Sequence, residues 1–371
     1  MDSFTVDVSS LAGFKLDLQD LGTTFEANAS RLLPGVLLPS GSSGLIASLA
    51  PAFEKFRSAV SAAQQTDLSA VGTAGENLST AVTKYLATDG GSAKALSAAS
   101  VDAFGDVGAS SQPNRGAKRF NGLQLPSLSE VPEEQYTVRQ VVTNAIGQLS
   151  SYDEPLQVAI GIKPTADYLT PLEADWEALQ AIGKRIGLLG VNDYVASQNL
   201  SGGGNWLRSS WSGTAADTFT TTMTTLVQRI SERSTDLEQI SKIVQNGGEC
   251  LERHVYNQAM ALSSGLLQPM NYLGFNLPLA VWARLVNQAV DASMKGEIIS
   301  AVDSLKKSVE SRKSVIATLL ERLVKALEYS PGRALPTFDS TGFEVPEKLA
   351  VDLGATRYGY GDNVWWENSI A

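Results

Sequence analysis

The chain has 371 residues, 43% of them hydrophobic, enough for packed cores and two or three domains. Its net charge is −10 and no segment is strongly basic, which argues against a nucleic-acid binder. One cysteine, Cys250, and one histidine, His254, allow no intramolecular disulfide and remove most zinc, iron and copper sites and most histidine-based catalysis.

The first residues, Met1-Asp2-Ser3-Phe4-Thr5-Val6-Asp7, are acidic where a cleavable signal would be basic and then apolar. No run reaches the roughly 18 apolar residues of a membrane-spanning helix, so by conventional signals the chain reads as soluble and cytosolic. Leu11, Phe14, Leu18, Leu21, Phe25 and Leu32 step mostly by three and four and predict a helix over 9–33. Pro34, Pro39 and a Ser/Gly run break it. A second seam, from Leu49 and Phe53 to Val82 and Tyr85, predicts a helix over 45–87, about 65 Å long, ended by Gly90-Gly91. This hairpin cannot hide its apolar stripes alone, so it requires a partner helix pair.

Residues 97–135 are rich in Ser, Ala, Gly and Pro and read as linker; Glu130, Glu133 and Glu134 within them read as solvated charge rather than metal ligands. A short helix is expected over 136–149. An apolar segment between Pro155 and Pro164 has no clear period. Leu169, Leu172, Trp176, Leu179, Ile182, Ile186 and Leu189 predict a helix running towards Tyr194. After Gly202-Gly203-Gly204 and Trp211-Ser212-Gly213, a seven-residue period holds from Phe219 to Val255, interrupted only by Arg233 and Gly247. A third long helix carries Ile298 to Leu327. Its Lys306, Lys307, Arg312 and Lys313 read as a solvated face. Pro331-Gly332 ends it, and the tail closes on aromatic residues in 358–366. No strand-rich segment stands out.

The predicted fold is all-α: an elongated four-helix bundle of two long hairpins, residues 9–87 against 168–265, plus a third long C-terminal helix. The boundaries read as a hairpin over 1–96, a flexible linker over 97–137, a second hairpin over 138–272, the long helix over 273–330 and a tail over 331–371.

Few residues carry chemistry. Cys250 and His254 share a helix face, which invites a thiol–imidazole dyad, but catalytic pairs are usually brought together by the fold rather than by helical spacing. A small apolar thiol beside a neutral imidazole is the stronger reading. Carboxylates such as Glu173 and Asp175, or Asp352 and Asp362, have no spacing that picks out an acid–base pair. No catalytic residue, cofactor or metal is therefore expected.

Two short motifs stand out by position. Chance predicts about half a Trp-x-Gly string in a chain with this much Trp and Gly. Trp211-Ser212-Gly213, however, sits at an interhelical turn, where Gly213 can take positive φ and Trp211 can cover two helix ends. Tyr85 and Asp89, four apart at the end of the first hairpin, offer a ring and a charge on one helix face. A second such pair, Tyr358 and Asp362, shows that the spacing alone is weak; location favours Tyr85. If Tyr85 is a signal residue, truncating it should remove little core.

Together the motifs resemble those of type VII (ESX) secretion substrates of actinobacteria. In that family a Trp-x-Gly turn joins two antiparallel helices, and a Tyr-x-x-x-Asp/Glu signal follows a hairpin. Residues 1–96 are similar to PE- or EspC-like hairpins, with Tyr85 and Asp89 in the signal positions. Residues 165–265 are similar to a WXG or PPE-like hairpin, with Trp211 and Gly213 in the turn; one chain with both is similar to EspB-like fusions. The resemblance omits the linker, third long helix and tail. It implies a non-enzymatic protein exported folded to the medium or cell surface without a cleavable signal, which overturns the cytosolic reading. It also implies a secretion ATPase as partner and leaves room for a dedicated chaperone and a homo-oligomer. The alternatives are a leader module for a toxin and a cytosolic helical scaffold.

Overall fold

The computed structural model describes residues 5–88, 116–132, 137–288 and 291–344. The three- and four-residue periodicity becomes two long antiparallel hairpins, and the described residues are all-α apart from one two-stranded hairpin. The first hairpin is α1 (Val8–Leu32) and α2 (Ala50–Thr88); Pro34 lies in a short 3₁₀ turn just after α1. Three short helices follow: α3 (Thr137–Leu149), α4 (Asp153–Ile160) and α5 (Pro164–Tyr168). The second hairpin is α6 (Ala178–Arg208) and α7 (Thr214–Leu267). At 1.5 Å per residue α7 is about 80 Å long. Strands β1 (Pro269–Tyr272) and β2 (Phe275–Pro278) then pair antiparallel and lead through α8 (Leu279–Leu285) to α9 (Ala292–Leu327). Helices α1, α2, α6 and α7 form the bundle, and α9 packs along α7. No helix of the described residues is long and apolar enough to cross a membrane.

Two apolar cores share this bundle. One lies towards the α6–α7 turn, built on Leu11, Phe14, Leu78, Leu200, Met223 and Ile230. The other runs from Leu32 and Phe53 through Trp176, Leu237 and Val255 to the α9 seam. Arg233, the first interruption of the heptad, lies at the junction. It donates to Asp193 of α6 at 2.7 Å through Nε and also to Asp67 of α2, with all three side chains 2% exposed or less. Burial in a protein interior is costly for each charge alone, so the three are stable there only as a set. Gly247, the second interruption, leaves room for Leu323 of α9, which lies 2.7 Å from where a Cβ would stand.

Four expectations are corrected. The helix expected from Leu169 begins only at Ala178, because Pro171 restarts the chain as a 3₁₀ turn; the Trp176 indole bonds back to the Leu172 carbonyl at 2.8 Å. That helix then continues through Gly202-Gly203-Gly204 to Arg208. A Cβ on Gly203 would stand 2.2 Å from the Phe14 ring, and one on Gly202 would stand 2.9 Å from Phe120, so the glycines form a flat seat for aromatic rings. Arg312 is buried at 5% exposure against α7, while Lys306, Lys307 and Lys313 are exposed as expected. The β1–β2 hairpin is the unforeseen strand pair.

The segment read as flexible linker also differs where it is described. Residues 117–132 have no regular structure but are bonded along α1 and α6. Buried Asp17 accepts from the Arg119 guanidinium and the Phe120 amide, Asn28 accepts from the Leu128 amide, and Asn199 accepts from the Gln124 amide. Gly13 lets the strap close in: a Cβ there would stand 1.6 Å from the Lys118 carbonyl. Polar groups in helix seams serve here as acceptors for an extended backbone that would otherwise be unsatisfied. Glu130 is exposed; Glu133, Glu134 and residues 97–115 lie outside the described residues.

Candidate recognition site at the bundle tip

The turn between α6 and α7 is set by Gly213. Its φ of 100° and ψ of 176° place it in a backbone region open essentially to glycine, and it is the residue from which α7 starts. The chain before it is held by the N-terminal segment. Val6 bridges Trp211 in antiparallel fashion, the Ser212 amide donates to the Thr5 carbonyl at 2.9 Å, and the Asp7 amide donates to the Ser210 carbonyl at 2.8 Å. The Ser212 hydroxyl accepts from the Thr5 amide at 2.9 Å.

Asp7 ties three elements together. Its carboxylate caps α1 through the Ser9 amide at 3.0 Å and accepts from Lys118 of the strap at 2.7 Å. Partial burial alone would raise its pKa, but Lys118 and Ser9 hold it down at about 2.

Trp211 is buried at 5% exposure, and its indole Nε1 donates to the Tyr85 hydroxyl at 3.1 Å. Tyr85 is half-buried and packs against the same core cluster. Around them Trp211 meets Phe219 at 5.5 Å between ring centroids, Phe219 meets Phe14 at 6.4 Å edge to face, and Phe14 meets Trp206 at 6.4 Å. Each such pair adds about 0.5–1.5 kcal/mol beyond the area it buries. Tyr85, Trp211 and Gly213 thus come together at one end of the bundle. Asp89 lies outside the described residues, as do Tyr358, Asp362 and the aromatic tail. Tyr85 is more embedded than the sequence reading held, so its truncation removes core as well as surface.

The part played by residues 5–7 was not read from the sequence. An alternating Thr5-Val6-Asp7 is too short to mark a strand, and its partner is the turn itself. The packing role of Gly203 was equally hidden, since a glycine in a helix pattern ordinarily weakens it.

The remaining sequence candidates carry no chemistry of this kind. Cys250 is 2% exposed and burial pushes its thiol up to about 11; His254 is fully buried, and burial together with Arg312 and Arg253 lowers it to about 4. Both are held neutral, the opposite of an activated thiolate–imidazolium pair. Glu173 accepts from the Thr143 hydroxyl, and Asp175 pairs with Arg139. No group of three or more metal-ligating side chains stands together among the described residues.

Comparison with known proteins gives no relative: no family model, no curated protein and no solved structure matches this chain.

Proposed function

We propose that this chain is a non-enzymatic protein exported in folded form through a type VII secretion system to the medium or cell surface. The tip of the bundle is its recognition site. One observation carries the reading: the Trp-x-Gly turn and the Tyr85 helix end, 126 residues apart, are joined by the Trp211–Tyr85 hydrogen bond. In the family that the motifs resemble, a Trp-x-Gly turn and a tyrosine signal act at one end of a helical bundle. Here Tyr85, Trp211 and Gly213 supply the rigid part of a composite signal and Asp89 its charge. The secretion ATPase is the partner that reads it, with a dedicated chaperone and self-association compatible with the exposed helix faces.

Export is tested by comparing culture filtrate with cell pellet in strains with and without the secretion ATPase. The protein should reach the filtrate only when the ATPase is present, and Asp89→Ala should hold it in the pellet with an unchanged helical spectrum. Retention of the wild-type chain by an intact system would favour a cytosolic helical scaffold instead. Normal export of Asp89→Ala would remove Asp89 from the signal.

A further inference from the structure

At the far end of α7 from the Trp211 turn, about 80 Å away, the helix gives way to the β1–β2 hairpin. Tyr272 pairs with Phe275, so the chain reverses through only two residues, Leu273 and Gly274. Both have positive φ, 53° and 81°, as a tight hairpin turn of this length requires. Asparagine, aspartate or glycine ordinarily fills the first of these positions, because a bulky side chain is strained there. Leu273 is the one non-glycine residue with positive φ among the described residues. The strain holds a large apolar side chain at the tip, where it is 71% exposed, beside Phe275 at 64%.

The base of the hairpin is braced against α8. The Leu279 amide donates to the Gln268 carbonyl at 2.9 Å, and the Trp282 indole donates to the Met270 carbonyl at 2.8 Å. Tyr272 meets the Trp282 ring edge to face at 5.4 Å between centroids. The tip is thus presented on a fixed support.

Its surroundings carry no charge. Residues 255–283 contain no Asp, Glu, Lys or Arg, where the 18% charged content of the whole chain would place about five. Along α7 this follows from burial, but Gln268, Asn271, Leu273, Phe275 and Asn276 are all exposed. A strand pair open to water is ordinarily protected by charged side chains, lysine above all, and this one has none.

We propose that the hairpin tip is a membrane-contact wedge: Leu273 and Phe275 enter the apolar side of a lipid bilayer's interface, with the Asn271 and Asn276 carboxamides at headgroup level. A lipid surface suits this tip better than a second protein does. Fully covered, the two side chains bring about 300 Å², against the roughly 800 Å² per partner of a stable protein interface. A second copy is also a poor extension of the sheet, because Pro269 and Pro278 stand opposite each other at its base and lack amide donors. A bilayer requires neither that area nor a complementary shape, only apolar side chains free of neighbouring charge. With two side chains engaged the binding is reversible and weaker than the roughly 0.1 mM of a single myristoyl chain.

Flotation of the purified full chain with phosphatidylcholine vesicles tests the wedge, and its outcome does not depend on the export reading. The protein should rise with the vesicles at about 1–5 mM lipid. Replacing part of the lipid by phosphatidylglycerol should not strengthen binding, since the hairpin offers no cation and the chain carries −10. Leu273→Asn puts a residue suited to the turn in place of a strained one, so it should melt no earlier than wild type and still float several-fold less. Adding Phe275→Thr should abolish flotation. Four results would overturn the proposal. They are no flotation up to about 10 mM lipid, equal flotation of Leu273→Asn, or binding that needs phosphatidylglycerol and disappears in salt, which would assign it to the exposed lysines of α9. The fourth is self-association without vesicles that Leu273→Asn removes, which would give the tip to a second copy.

Discussion

Trp211 and Tyr85 are bonded side chain to side chain, Nε1 to hydroxyl at 3.1 Å, across two hairpins. The bond makes the α6–α7 turn and the end of α2 one mechanical unit. Trp211→Ala should destabilise the protein by about 3–5 kcal/mol, since it removes a large core aromatic. Tyr85→Phe should cost about 1 kcal/mol. In urea unfolding the two changes should be non-additive by ~0.5 kcal/mol or more. Strict additivity would mean that the hydrogen bond contributes nothing in solution.

Gly213 starts α7 from a backbone region that side chains rarely enter. Gly213→Ala should therefore lower stability by about 1–3 kcal/mol even though it adds only a methyl group. Ser212→Ala, which removes the acceptor for the Thr5 amide at an exposed site, should cost less than about 1 kcal/mol. Equal effects in thermal melts would contradict the backbone argument.

The strap over α1 depends on Gly13. A Cβ there overlaps the Lys118 carbonyl, so Gly13→Ala should lift residues 117–120 off the helix. Limited trypsin digestion reads this directly, because Lys118 and Arg119 are already exposed and cleavage after them waits only on release of the strap backbone. Cleavage there should rise several-fold in the variant while the long helices keep their far-ultraviolet dichroism. An unchanged digestion pattern would show that the strap is not seated in this way.

Arg233 neutralises Asp67 and Asp193 between the two cores. Arg233→Met should cost about 3–5 kcal/mol, because it strands the buried Asp193 carboxylate and leaves Asp67 with Arg229 alone. Adding Asp193→Leu should recover part of the loss, and chemical denaturation of the single and double variants checks both signs. If the second change lowers stability further, the charges are not the cause.

His254 gives the protein an acid limb. Its pKa falls from 6.5 to about 4 on folding, so between those values the unfolded chain binds a proton that the folded chain refuses. Stability is complete above pH 6.5 and falls as the pH drops towards 4, by about 3 kcal/mol in all from this group. Arg312 and Arg253 act in the same direction as burial. A neutral replacement, His254→Gln, should flatten that stretch of the urea midpoint against pH. The same slope in the variant would assign it to other groups.

Much of the bundle was legible because its helices are long and amphipathic. Over α1, α2, α7 and α9 the apolar residues repeat often enough for the period to be read locally, and each stripe required a partner. The start of α6 was misread because Leu169, Leu172 and Trp176 share the period of the helix without belonging to it; their spacing serves short turns bracketed by prolines. The strap was misread because Ser, Gly and Pro describe equally well a free chain and one held by its backbone. Only the acceptors Asp17, Asn28 and Asn199, distant in sequence, separate the two.

By itself the sequence determined the long helices α1, α2, α7 and α9 and the residues at two of their ends, Tyr85 and Trp211-Ser212-Gly213. These follow from periodicity and from the conformational range of proline and glycine, which act within a few residues. Tertiary structure alone decided that Tyr85 meets Trp211, that residues 5–7 pair with the turn, and that Arg233 takes Asp67 and Asp193. Contacts between residues this far apart in sequence depend on which side chains fit together once two hairpins are packed, and no local pattern encodes that fit.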